Sequence, residues 1–319
     1  MYPKFSMDHA TCKVRIVTLI EDVSAQNLFP FFEPNLQAKE GDDMIELPES
    51  HHLARQLNET VLGKSIMNVY AQTTPHKFAW YFGDPEAYHD RLTGKTVDGA
   101  KALGGLLEIQ AGYMRVVLGD GVNVRYYSPD QPVPPRHQLH IEFDDFSSFV
   151  CTVQMYGGLW AFRAGENDNP YYLVAQAKPD PLSDAFDHAY FDALYTPADE
   201  KLSLKAFLAT KQRIPGLGNG VLQDILFQAG LHPRSKMSAL AKTDFDALYL
   251  AVKGTLASMT AGGGRDTERD LFGCSGNYQT VLSGKNKGTP CRVCQTPIVQ
   301  EAYLGGSIYT CPVCQILKK

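Results

Sequence analysis

The pattern of apolar and polar positions changes character several times along the chain. Residues 1–43 mix short apolar runs with Pro30, Pro34 and the acidic stretch Glu40-Gly41-Asp42-Asp43, and sustain neither a period of 2 nor one of 3.6. From Met44 a pattern sets in. Leu53, Leu57 and Val61 recur at spacing four behind Pro48 and Glu49, which suit a first helical turn, so a helix is expected over 47–60. Short β-type runs follow at 65–72, 77–82, 106–109, 113–118, 123–127, 137–143 and 148–156, separated by turn clusters such as Gly119-Asp120-Gly121 and Asp144-Asp145. Pro179-Asp180-Pro181 and Thr196-Pro197 bracket a change of period. Beyond them the chain reads as helical at 202–209, 220–229, 238–240 and 244–258, and ends in a short tail rich in Cys and Gly.

These elements predict an α+β protein: an N-terminal β-sandwich-like domain with a leading helix over 44–180, a linker over 181–200, a helical domain over 201–284 and a zinc-ribbon-like finger over 285–319. Residues 1–43 are expected to lie outside the fold or to be untranslated leader, with translation starting at Met44. Length agrees with more than one domain, since a single core usually stops growing below 319 residues. With 44% apolar and 20% charged residues the chain is neither disordered, collagen-like nor coiled-coil. Its early apolar run, 14–20, contains Arg15 and is too short for a membrane span or a secretory signal, so a cytoplasmic protein without a membrane partner is expected.

Charge changes the picture. The net charge of −5 argues against a nucleic-acid binder until it is divided along the chain. Residues 201–319 hold 15 Lys and Arg against 7 Asp and Glu, whereas residues 1–200 hold 15 against 28. A basic third is where a polyanion would be met, although uneven charge also serves simply to solvate two faces.

Two motifs carry chemistry. Cys291-x-x-Cys294 and Cys311-x-x-Cys314 offer two tight knuckles whose four thiolates can close a tetrahedral site, which points to one structural zinc. Redox pairs are the other reading of CxxC, but a single helix-starting CxxC would suit that chemistry better. A module this small could not fold without its metal. The second motif, Ile214-Pro215-Gly216-Leu217-Gly218-Asn219-Gly220, is a glycine-rich turn running into a helix. Exposed backbone N–H groups there would seat a phosphate, with Asn219 as a neutral donor and Lys211 and Arg213 just upstream. A glycine corner between two helices is the plainer alternative. His51, His52, His76, His89, His137, His140 and His188 show no metal spacing, and Cys12, Cys151 and Cys274 read as free thiols.

Gly216-Leu217-Gly218-Asn219, followed by Leu226-Phe227-Gln228-Ala229-Gly230-Leu231-His232-Pro233, resembles the helix–two-turn–helix of the formamidopyrimidine-DNA glycosylase/endonuclease VIII family. The run from Gly288 to Val299 looks like that family's zinc finger, and Met44-Ile45-Glu46-Leu47-Pro48-Glu49 is similar to its amino-terminal Met-Pro-Glu-Leu-Pro-Glu. Gly99-Ala100-Lys101, Leu106-Leu107-Glu108-Ile109, Leu118-Gly119, Glu142-Phe143-Asp144-Asp145 and Pro179-Asp180-Pro181-Leu182-Ser183 also match, in order, so the likeness spans 44–317.

The resemblance implies a base-excision-repair DNA glycosylase/AP lyase that clamps double-stranded damaged DNA as a monomer, flips out a lesion and breaks its glycosidic bond through a terminal-amine Schiff base. It places the amine at Ile45 or, if the initiator is kept, Met44; a proton shuttle at Glu46; and a phosphate-holding lysine at Lys101. Asn219, Gly218, Lys211 and Arg265, the last in the glycine-rich loop Gly262-Gly263-Gly264-Arg265-Asp266, would meet phosphates. Met155 and Tyr156 would wedge into the hole left by the flipped base. Three positions depart from the family. Ile45 replaces the proline, Gly306 replaces a finger arginine, and Gln154-Met155-Tyr156-Gly157 stands where many members carry an Arg and a Phe. The alternatives are a damaged-DNA-binding protein of the same fold with weak or lost catalysis, and an RNA-binding zinc protein for which the basic tail alone speaks.

Overall fold

The structure, a computed structural model, describes residues 44–319; the expectations for residues 1–43 lie outside them. Helix α1 (Leu47–Thr60) starts where the sequence places it, with Pro48 in the first turn, where a missing N–H costs nothing. The strands β1 (Ile66–Ala71), β2 (Ala79–Tyr81), β3 (Val97–Leu103), β4 (Leu106–Ala111), β5 (Met114–Tyr127), β6 (Leu139–Phe143) and β7 (Ser148–Arg163) join in one sheet. Its order is β1-β6-β7-β5-β4-β3, antiparallel throughout, with β2 added parallel to β7. Between β1 and β3 the short helix α2 (Tyr88–Leu92) buries Tyr88 and Leu92 against the sheet.

The runs expected at 113–118 and 123–127 are a single strand. β5 continues through Gly119-Asp120-Gly121 because its pairing with β7 shifts register there, Asp120 adopting φ +57° opposite Gly157. A Cβ at Gly157 would lie 2.6 Å from Val122 Cγ2, so the crossing demands glycine. The second half of β7 and the whole of β3 escaped the pattern for opposite reasons. Residues 157–162 are buried on both faces and show no alternation, whereas β3, built largely of small residues and with Val97 alone buried, is too weakly apolar to show one.

The remaining helices are α3 (Pro170–Ala177), α4 (His188–Ala193), α5 (Leu204–Ala209), α6 (Asn219–Gln228) and α7 (Lys242–Ala261). Residues 181–200, expected as a linker, carry α4 and send Phe186 and Phe191 into a second core with Phe207, Leu222, Ile225 and Leu248. Burying such a side chain contributes roughly 1.5–3 kcal/mol, so this segment belongs to the helical unit. Leu47 sits in that second core while Leu53 and Leu57 sit in the core under the sheet, so α1 ties the two together.

The tail forms the hairpin β8 (Val299–Tyr303) and β9 (Gly306–Thr310). Leu304 and Gly305 both take positive φ, the conformation a two-residue hairpin turn requires. Its small core, Phe227, Val281, Leu282, Ile298 and Tyr309 with the cysteines, leans on the end of α6. Among the described residues no helix is long and apolar enough to cross a membrane.

Candidate functional site

Glu46 immediately precedes α1, yet its carboxylate does not cap α1. It reaches across to the start of α6, where Oε1 accepts the N–H of Gly220 at 2.8 Å and Oε2 that of Val221 at 2.7 Å. Unpaired amides and the helix dipole make such a start an anion site. The glycine-rich turn expected to seat a phosphate therefore seats a carboxylate. Glycine is needed for a steric reason: a Cβ at Gly218 would strike Glu46, and one at Gly220 would strike Arg265. The backbone at Gly216 (φ +80°) packs directly on Gly104-Gly105, and its carbonyl accepts the N–H of Leu47 at 2.9 Å.

Arg265 corrects a second expectation. The residue proposed to reach out to phosphate is 3% exposed and turned inward. Its Nε and Nη2 donate to Glu49 at 3.0 and 2.9 Å, Nη1 lies 3.5 Å from Glu46 Oε2, and Nη2 lies 3.6 Å from Glu268 Oε1. One guanidinium thus faces three carboxylates. Burial raises the Glu46 carboxyl above its usual range; Arg265 and the two α6 amides pull it back, and Glu49 adds to the rise. Burial raises Glu268 as well. The other oxygen of Glu268 accepts the backbone N–H of Met44 at 2.7 Å.

Ile45 is buried, and its N–H donates to the Asp120 carbonyl at 2.8 Å in an isolated antiparallel bridge. Burial pushes the Asp120 carboxyl up to about 7. Tyr156, on β7 beside half-buried Met155, packs its ring 5.7 Å from that of Trp80. Tyr156 and Tyr171, from α3, both sense the charges of Asp120 and Glu46, so the sheet bulge, the start of α1 and the start of α6 meet at one place.

Lys101 stands apart from this cluster of contacts. It is exposed on β3, with Nζ 3.3 Å from Oε1 of its cross-strand partner Glu108. Glu108 is buried and also accepts the Tyr172 hydroxyl at 2.5 Å. Lys211 is exposed in the left-handed turn before the glycine-rich segment. Asn219 is tied to the finger: its Nδ2 donates to Ser307 O at 3.1 Å, while Gln223 donates to the same oxygen and accepts the Tyr309 N–H at 3.0 Å.

Four residues were not singled out as site residues by sequence: Glu49, Asp120, Glu268 and Lys205. Lys205 is 5% exposed, donates to Tyr303 O at 2.7 Å, and is lowered by burial to about 8. A Cβ at Gly306 would lie 3.5 Å from its Nζ and 3.6 Å from Asn219 Nδ2, so a lysine stands where the finger arginine is missing. The one signal for it was a lysine interrupting the apolar run Leu204–Ala209.

The sulfurs of Cys291, Cys294, Cys311 and Cys314 all lie within 4.8 Å of one another, with Cys291–Cys314 at 3.8 Å and Cys294–Cys311 at 3.3 Å. A tetrahedral ion with metal–sulfur bonds of about 2.3 Å requires sulfur–sulfur edges of about 3.8 Å, so the four could hold a metal ion. His188, Asp192 and Asp246 also converge, but there Lys242 Nζ lies 2.8 Å from Asp246 and already supplies positive charge.

Residues 178–269 match the formamidopyrimidine-DNA glycosylase H2TH domain. The formamidopyrimidine-DNA glycosylase of Paraburkholderia phymatum is 31% identical over 281 residues, covering 85% of this chain and 100% of that protein. This chain belongs to the formamidopyrimidine-DNA glycosylase family. The MutM (Fpg) protein of Thermus thermophilus is similar in structure, with a TM-score of 0.71 and 25% identity over 85% of this chain and 98% of its own. So is the Lactococcus lactis Fpg solved with DNA containing N7-benzyl-Fapy-dG, at a TM-score of 0.73 and 25% identity over 85% and 99%. The α+β architecture expected from the sequence, a sheet domain, a helical domain and a four-cysteine finger, is that of the formamidopyrimidine-DNA glycosylases.

Proposed function

We propose that this chain is a base-excision-repair DNA glycosylase/AP lyase acting on damaged bases or abasic sites in duplex DNA. The observation that carries the reading is the junction at Glu46, where the family's amino-terminal motif meets the glycine-rich start of α6 and the bulge at Asp120. A carboxylate held there is positioned to move protons at a sugar beside residues 44 and 45. The attacking group is a free amine at Met44 or Ile45, because a peptide nitrogen such as the Ile45 N–H is no nucleophile. Its bond to C1′ forms as the base leaves with a proton. The C1′–O4′ bond of that aminal then breaks, O4′ taking a proton, and the iminium so formed draws electrons as C2′ loses its proton and the 3′ phosphate departs.

Asn219, Lys211 and Lys101 meet the backbone phosphates, and Met155 and Tyr156 fill the vacated stack; Gly218 is left out because Glu46 already occupies the start of α6. Arg265 is left out of that set because it is buried among carboxylates. Zinc on Cys291, Cys294, Cys311 and Cys314 would join the two knuckles that flank the hairpin without an open coordination position, so its part is structural. The protein works as a monomer on double-stranded DNA.

One observation favours the second reading, a binder of damaged DNA with lost chemistry: Ile45 stands where the family's amino-terminal motif carries proline. Borohydride trapping on an abasic duplex, with intact-mass analysis of the same preparation, separates the two. A covalent adduct whose amino terminus is Met44 or Ile45 supports the enzyme. Tight abasic-site binding with no adduct supports the binder.

A further inference from the structure

We propose that Arg265 is a positioning residue for Glu46, its guanidinium fixing both the place and the charge of that carboxylate at the start of α6. The inference rests on the function proposed above in taking Glu46 as the working carboxylate. Three sets of contacts carry it.

First, the guanidinium cannot wander. Nε and Nη2 grip the two oxygens of Glu49 on α1, and the Arg265 backbone N–H also donates to Glu49 at 3.1 Å. Nη1 is thereby aimed at Glu46 Oε2, the oxygen that accepts the Val221 N–H. A planar fork held at one edge presents its other edge in a defined direction, which a lysine could not do.

Second, the chain is shaped around the guanidinium. Gly220 leaves the space that Nη1 occupies, and Gly276 backs onto Gly264 and the Arg265 carbonyl so closely that a Cβ there would overlap them. Gly263 and Gly264 turn the loop inward at φ +73° and +100°. The glycine-rich loop is a tight turn that delivers one side chain.

Third, the charges are unequal. Among the described residues that face Glu46, Arg265 is the cation, and the anions are Glu49 from α1 and Glu268 from the same loop as Arg265. The neutral groups are the Gly220 and Val221 amides of α6, Tyr156 of β7 and Tyr171 of α3. Removing the positive charge therefore makes Glu46 harder to ionise, and removing the Glu49 charge makes it easier. A purely structural prop would shift neither midpoint.

The test is the titration of Glu46 itself, followed by carboxyl carbon NMR in full-length protein labelled at glutamate and assigned with Glu46→Gln, beside the pH profile of single-turnover cleavage of an abasic duplex. Arg265→Met should raise the Glu46 midpoint, and the acid limb of the profile, by about one unit or more. Arg265→Lys should recover most of that shift while leaving a lower plateau rate, because charge returns without the fork. Glu49→Gln should move the midpoint the other way. Unmoved midpoints in Arg265→Met and Glu49→Gln overturn the inference, and if Arg265→Met does not fold, an unmoved midpoint in Glu49→Gln does so alone. Absence of cleavage by the wild-type protein would count against the proposed function instead, since the NMR titration still decides the role of Arg265.

Discussion

Glu46 and Val221, 175 positions apart, are joined by a hydrogen bond of 2.7 Å from the Val221 amide to the Glu46 carboxylate. That bond makes the first residues of the sheet domain the cap of a helix in the other core. It explains why the motif at 44–49 and the glycine-rich turn at 216–220 occur in one chain: each supplies what the other leaves unsatisfied. The proposed chemistry sits where the two cores are sutured, so disturbing the suture should affect stability and activity together.

Two glycines in helices should behave oppositely. Gly220→Ala drives a methyl into the Arg265 guanidinium and should cost about 1–3 kcal/mol, with loss of cleavage. Gly254, inside α7, has no neighbour within 4 Å of a built Cβ, and Gly254→Ala should stabilise by about 0.5–1 kcal/mol through helix propensity. Thermal unfolding of both variants checks this. Equal effects of one sign would mean that the crowding at Gly220 is relieved by movement of the loop.

The finger should depend on its metal. Zinc chelation, or Cys291→Ser, is expected to abolish duplex binding and unfold roughly the last 30 residues while the sheet domain keeps its near-ultraviolet signal. Metal analysis of protein purified without chelators should find zinc, and its absence would reject the assignment.

Losing a phosphate contact should weaken binding without changing preference. Lys211→Ala should lower affinity for all duplexes alike and flatten the salt dependence by about one unit of slope. Asn219→Ala should lower affinity as well, but with little change in slope. Its effect includes loosening the finger, because Asn219 holds Ser307 O. Anisotropy titrations across a salt series distinguish the two, and unchanged affinity in both variants would remove this surface from the DNA interface.

Lys205 should make binding fall with pH. Burial lowers its amine from the usual lysine range to about 8, so near neutrality it is charged and above about 8 it is not. Lys205→Met is expected to bind duplex more weakly than wild type at pH 7 and similarly at pH 9. Stability runs the other way. The folded protein releases this proton more readily than the unfolded chain, so wild type should gain stability over the variant as pH rises from about 8 to 10. Introducing Gly306→Arg beside Lys205→Met should restore binding at both pH values, since an arginine keeps its charge. Denaturant curves and anisotropy at matched pH check both halves.

What the sequence determined by itself is what local chemistry encodes. The helix over 47–60, most of the strands apart from β3 and the two CxxC knuckles were legible because spacing along the chain is enough to place apolar faces and thiols. The fold class followed, and so did Glu46 as a residue of interest, through its place in a recognisable motif. Tertiary structure alone decided what the charged groups do. Arg265 read as a phosphate contact because a glycine-rich loop with an arginine is, locally, an exposed cation, and only the packing of α1, α6 and that loop turns it onto Glu49 and Glu46. Lys205 drew no notice within the helical run 202–209, and only β8 and β9 lying over it give its amine a setting. Electrostatic roles depend on burial and on partners up to about two hundred residues away, and neither is written in local periodicity.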